Sequence, residues 1–200
     1  MVTSIVIDDA LHDPEGVRED ALAHQFKQET GPDGAVYQHI SLGSQPIERI
    51  TSVLAPHFPG KQIKWKLTFW RQDWAGELPH SFCHADRICA EWAAIYYAMP
   101  AELCSGGTAF WSHTGTGLDH LPTDPELKSA GILPHCFHPW MTEETKDPDK
   151  WSLRGLVAMA PNRLACYPTK MWHSRLPAEG SGTCKEDGRM VWVGFFNVVE

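Results

Sequence analysis

Within the stretch HSFCHADRICAEWAAIYYAMP (His80–Pro100), His84 and Asp86 stand one residue apart at the head of an apolar run that ends in Tyr96 and Tyr97. In an extended chain, positions i and i+2 project from the same face. The imidazole and the carboxylate then point together and offer one nitrogen and one oxygen donor, a mix that suits a borderline divalent metal. A third donor must come from elsewhere. His173, in ACYPTKMWHSRLP (Ala165–Pro177), follows a strand and lies beside a turn late in the chain, and it is the candidate that stands out. Two histidines and one carboxylate form the facial triad used for non-haem iron(II), which leaves positions open for co-substrate and oxygen. A His-x-Asp pair taken alone is equally at home in a surface turn or a structural hydrogen bond.

A cation opens the last apolar segment. GRMVWVGFFNV (Gly188–Val198) sets Arg189 on one face with Val191, Val193 and Phe195. An arginine at the start of a buried strand is costly unless it meets an anion, and its planar fork suits a carboxylate. The other reading is a guanidinium that reaches past the strand end to water. The tetrapeptide HCFH (His135–His138) has zinc-ligating residue types but lacks a second pair at finger-like spacing.

The elements that must position these groups are mostly strands. IKWKLTFW (Ile63–Trp70) alternates, with Ile63, Trp65, Leu67 and Phe69 expected on one face. CAEWAAIYYAM, GGTAFW, LVAMAP, RLACYP and RMVWVGFFNV read as five further strands. Ahead of them, TSIVIDD reads as a strand. Asp13-Pro14 opens a helix with Val17, Ala21 and Phe26 near helical spacing, a strand runs near Val36–Leu42, and Ile47, Ile50 and Leu54 share the face of a second helix. The segment from Ser112 to Trp151, rich in Pro, Gly, Thr and Asp, breaks the rhythm and reads as an irregular insertion or lid, with at most a helical turn near EETKDPDKW. The expected fold is mainly β within an α+β chain: a double-stranded β-helix, or jelly roll, with N-terminal helices packed on one sheet. Residues 1–61 form the α+β support, 62–200 the jelly-roll core and 112–151 the insertion, all in one domain.

The chain has 200 residues and a formal net charge of -8, which disfavours a general nucleic-acid binder. No apolar run is long enough to span a membrane, and the N-terminus lacks the pattern of a secretory signal. The 6 cysteines form no C-x-x-C pair, which points to reduced thiols and a cytoplasmic location.

Taken in order, HAD (84–86), IYY (95–97), GGTAFW (106–111), YPTKMWH (167–173) and RMVWVGFF (189–196) resemble the iron(II)- and 2-oxoglutarate-dependent oxygenases, most closely the prolyl-hydroxylase-like branch. The resemblance covers roughly Lys64–Val198, and IVIDDALHDPEGVREDAL is similar to the opening strand and helix common in that branch. It implies that His84, Asp86 and His173 bind iron(II), that Arg189 holds the distal carboxylate of 2-oxoglutarate, and that Tyr97 hydrogen-bonds the same carboxylate. Family members often carry Ser or Thr two residues after the arginine, where this chain has Val191. The implied reaction couples oxidative decarboxylation of 2-oxoglutarate by O2, giving succinate and CO2, to hydroxylation of a substrate C–H. Asp86 stands where related halogenases have a small residue, so halogenation is disfavoured.

The expected partner is a small-molecule substrate such as an amino acid or metabolite, with a peptide or protein side chain as second choice. Arg87, Trp111 and Trp172 are the candidate substrate contacts. Trp70, Trp74 and Trp140 either join them or pack the barrel and lid. Two other functions fit the same elements: a cupin-like metalloenzyme that does not use 2-oxoglutarate, and a non-catalytic jelly-roll module that stacks tryptophans on a ligand.

Overall fold

The structure is a computed structural model that describes residues 4–31, 34–86 and 90–200. Arg87, a candidate substrate contact, lies outside the described residues. In chain order the elements are β1 (Ile5–Ile7), α1 (Pro14–Ala23), β2 (Lys27–Thr30), β3 (Val36–Ser41), α2 (Ile47–Leu54), β4 (Gln62–Asp73), β5 (Trp92–Tyr97) and β6 (Gly107–His113). There follow α3 (Asp124–Ser129), α4 (Pro134–Glu144), β7 (Trp151–Ala158), β8 (Arg163–Pro168), β9 (His173–Leu176) and β10 (Arg189–Val199). One sheet has seven strands in the order β1-β8-β5-β10-β4-β3-β2, and the other has three in the order β7-β6-β9. Every pairing is antiparallel. No helix among the described residues is long and apolar enough to cross a membrane.

The large sheet has two buried faces, each with its own chemistry. On one, Trp70, Tyr96, Trp192 and Phe196 are buried beneath the helices. Side chains of this size contribute about 1.5–3 kcal/mol each when fully buried, but an indole N–H taken from water must find an acceptor. Trp70 donates to the Ser44 carbonyl (2.9 Å), Trp192 to Gln45 Oε1 (2.8 Å) and Trp65 to Thr51 Oγ1 (2.9 Å). These bonds fasten α2 and the loop before it to the sheet. Helix α1 begins as its sequence dictates, with the Asp13 carboxylate accepting from Gly16 N at 3.0 Å and Pro14 in the first turn.

Trp65 departs from the alternation read in the sequence. The pairing of β10 with β4 slips between Phe195, opposite Leu67, and Phe196, opposite Trp65, so Lys66 is an extra residue. A bulge of one residue turns everything beyond it to the other face. Trp65 therefore packs on Trp192 (ring centroids 5.2 Å) and Phe196 (4.8 Å) on the helix side, while Phe69 faces Phe195 (6.4 Å) in the interior. Gly194 makes room for this cluster, since a Cβ there would lie 2.4 Å from the Trp192 ring and 2.6 Å from Trp65.

The small sheet lies across the other face. Tyr97 on β5 meets Thr108 on β6 (2.7 Å), and Tyr167 on β8 packs against Phe110 (5.1 Å) and His173 (4.9 Å). The segment between β6 and β7 is more regular than its composition suggests. A capping box, with Thr123 and Glu126 satisfying each other's backbone N–H groups, starts α3. Leu127, Phe137 and Met141 of α3 and α4 bury against Trp151, Trp172 and Cys83 in a second apolar cluster. Two short strands, β2 and β9, also went unread as strands in the sequence.

Candidate metal centre and arginine cluster

His84 and His173 are held together by their own backbones. His84 N donates to the His173 carbonyl (2.9 Å) and His173 N to the His84 carbonyl (2.8 Å), an isolated antiparallel bridge at the first residue of β9. Asp86 N donates to the Thr169 carbonyl (2.9 Å) and fixes the next inward position. The side chains converge as a result. His84 Nε2 lies 3.6 Å from Asp86 Oδ1 and His173 Nε2 lies 3.4 Å from Asp86 Oδ2. The three ligand atoms are within 4.8 Å of one another, the one group among the described residues that can hold a metal ion. Met171 O accepts from His173 Nδ1 at 2.8 Å. A carbonyl only accepts, so Nδ1 carries the proton and Nε2 presents its lone pair towards Asp86, the arrangement a metal-binding histidine needs.

The cluster is open on one side. The His84 side chain is 46% exposed, whereas Asp86 and His173 are largely buried. Protein atoms crowding the His84 ring, then His173 and Arg71, still hold its pKa well below the ordinary histidine value, so it is neutral and able to ligate. Two imidazole nitrogens and a carboxylate on one face, with an open side, match a first-row divalent ion that keeps positions for exogenous ligands.

A second charged group lies on the same interior. Asp73 on β4 is directly opposite Arg189 on β10, and its side chain is 2% exposed. Arg71 donates to Asp73 Oδ1 through Nε (2.9 Å) and approaches it through Nη2 (2.7 Å), Arg175 Nη1 also meets Oδ1, and Arg189 Nη1 donates to Oδ2 (3.0 Å). Burial alone would raise the Asp73 pKa, but Arg71, Arg189 and Arg175 outweigh it and hold the carboxyl below its usual range. Arg189 Nε is buried with no hydrogen-bond partner among the described residues.

The remaining residues singled out in the sequence are placed as follows. Tyr97 faces this interior, with its hydroxyl on Thr108 Oγ1 (2.7 Å) and its ring 5.8 Å from the Arg189 guanidinium. Tyr96 turns the other way and donates to Asn162 Oδ1. Val191 lies between Arg71 of β4 and Tyr97 of β5. Trp111 donates to Ser174 Oγ (2.9 Å) and packs on Phe82, which puts it on the face of the small sheet opposite His173. Trp172 is buried in the second cluster against Trp151 (5.2 Å). Trp70 is committed to the helix side, Trp140 contacts His113 (5.2 Å), and Trp74 stacks on His39 (4.0 Å) near Glu77. In the HCFH tetrapeptide, His138 pairs with Asp124 (2.9 Å) instead of joining a ligand set. A surface hollow between α1 and the start of α2, floored by Trp70, lies on the helix side, away from all these charges.

Four interior residues were not found from the sequence: Arg71, Asp73, Arg175 and Tyr167. Tyr167 is buried, and its hydroxyl has no hydrogen-bond partner among the described residues. Burial first, then Asp86 and Tyr97, raise its pKa, so it stays a neutral O–H, and its ring packs on His173 (4.9 Å). A signal was present, since Arg71 and Asp73 are two apart on one strand and Arg175 is two beyond His173. No family model matches the chain, and none of the curated proteins matches it at a significant level.

Proposed function

We propose that the chain folds as a double-stranded β-helix and is a non-haem iron(II)- and 2-oxoglutarate-dependent oxygenase, acting on an unactivated C–H of a small molecule. What carries this reading is the coexistence, in one interior, of a His84–Asp86–His173 donor set and an arginine group with more cations than its one bonded carboxylate neutralises. Bound iron(II), with O2 and 2-oxoglutarate, would supply the oxidising power, the co-substrate leaving as succinate and CO2. The protein's part is to bind and orient. His84, Asp86 and His173 hold the metal, and the Met171 carbonyl keeps His173 Nε2 directed at it. Arg189 receives the distal carboxylate through donors that Asp73 leaves free. Tyr97 packs its ring beside Arg189 and braces the two sheets through Thr108.

A test is succinate formation from 2-oxoglutarate by iron-loaded protein, compared with Asp86→Ala. Wild-type protein is expected to turn over slowly even without substrate. The variant should keep its melting temperature and lose at least about 100-fold in metal affinity, as removing a ligand or its direct support does. Equal metal binding in both proteins would refute the assignment. The cupin-like reading, a metal centre that ignores 2-oxoglutarate, is favoured by one observation: Arg189 already has an internal anion in Asp73. Full activity without 2-oxoglutarate would establish it.

A further inference from the structure

We infer that Arg71 is a second carboxylate-binding cation of this interior and shares with Arg189 a single carboxylate of the bound co-substrate; this rests on the oxygenase reading above.

The first argument is placement. Arg71 and Arg189 hold opposite oxygens of one carboxylate, Asp73 Oδ1 and Oδ2, so their guanidiniums are neighbours flanking a common anion. They project from the same face of paired strands, with Arg71 opposite Val191, two residues along from Arg189.

The second is the donor inventory. An arginine has five N–H groups. Arg175 commits all three of its nitrogens, to Asp73, Ala178 O and Glu77 O. Arg71 commits Nε and Nη2 to Asp73 and lies over the Tyr37 ring (4.7 Å), and its Nη1 has no hydrogen-bond partner among the described residues. Among the described residues Arg189 commits Nη1 only, and its Nε is buried with no hydrogen-bond partner. Leaving such a donor unpaired is costly, and a ligand oxygen relieves it. Of the residues beside the two arginines, Val191 is apolar and the Tyr97 hydroxyl is taken up by Thr108.

The third is charge. Three guanidiniums face Asp73, and the second carboxylate acting on Arg71 and Arg175, Glu77, is itself paired with His39 (2.8 Å). The guanidiniums outnumber the carboxylates bonded to them, and one further carboxylate offsets that excess. The Arg71 side chain is 25% exposed and that of Arg189 3%, so Arg71 stands on the side from which a ligand arrives. The site thus fits a short dicarboxylate whose far end bridges the two arginines while its near end reaches the His84–Asp86–His173 group.

The test is an anaerobic titration of manganese- or iron-loaded protein with 2-oxoglutarate, for wild type, Arg71→Gln and Arg71→Lys. Asp73 keeps Arg175 and Arg189 in both variants, and a melting curve checks that the fold is retained. Arg71→Gln is expected to weaken 2-oxoglutarate binding about 10- to 100-fold, the range for losing a charge-assisted hydrogen bond, and to leave metal affinity within about threefold. Arg71→Lys, with the charge but not the fork, should fall between. Wild-type binding with Arg71→Gln unchanged overturns the role of Arg71 and spares the oxygenase reading. Absence of 2-oxoglutarate binding by the wild type overturns both.

Discussion

Replacing Asp73 with Asn removes one negative charge and almost no volume, at the point where three guanidiniums meet. The carboxylate is 2% exposed and bonded by Arg71, Arg175 and Arg189. Removing one partner of a buried ion pair costs about 3–5 kcal/mol, because the other charge is left uncompensated. Arg71 is partly exposed and can turn to water, so the lower end, about 3 kcal/mol, applies here. For a domain of this size each kcal/mol lowers the melting temperature by about 2–4 °C, so Asp73→Asn should melt about 6–12 °C below wild type at pH 7. The pH dependence has a definite sign. The folded pKa of Asp73 is depressed, so its contribution is complete above the unfolded carboxyl value of about 3.9 and is lost as pH falls through the lower folded value. Melting curves followed by circular dichroism from pH 7 downward should therefore show the gap between the two proteins closing in acid. A gap below about 2 °C at pH 7, or one that persists unchanged in acid, would refute this account of the arginine cluster.

Two further substitutions probe other parts of the interior. Tyr167→Phe removes a hydroxyl that makes no hydrogen bond among the described residues, so the melting temperature should stay within about 2 °C of wild type, while 2-oxoglutarate binding to the metal-loaded protein weakens about 3- to 10-fold for one neutral hydrogen bond; a loss of stability instead would mean the hydroxyl serves the fold. Gly194→Ala drives a methyl group into Trp192 and Trp65 and should cost about 1–3 kcal/mol, read by urea denaturation, with metal affinity unchanged.

What could be read from the sequence was what is local. The Asp13-Pro14 start of α1, the buried Ile50 and Leu54 of α2, and the apolar strands β5, β8 and β10 follow from caps and periodicity within a few residues. Trp65 shows the limit, because the bulge at Lys66 depends on how β10 pairs with β4, over a hundred residues away in the chain, and period-two counting cannot see it. The helices α3 and α4 were hidden by their prolines, although Thr123-x-x-Glu126 marked a capping box. At the site, His84 and Asp86 could be paired from their spacing alone, while His173 stood out by its place after a strand and was joined to them through the ordered resemblance. The arginine cluster was not foreseen, because Asp73, Arg175 and Arg189 meet only when β4 and β10 of the large sheet and β9 of the small sheet are in place. Arg189 was expected to meet an anion or water, and the anion it meets is the chain's own Asp73.

The most direct test of the central claim is an anaerobic optical titration of metal-free protein with iron(II), followed by 2-oxoglutarate. The account predicts a visible charge-transfer band that appears only when both are present and that is absent from Asp86→Ala. Tight iron binding with no band at saturating 2-oxoglutarate would contradict it, and would leave His84, Asp86 and His173 as a metal centre of another kind.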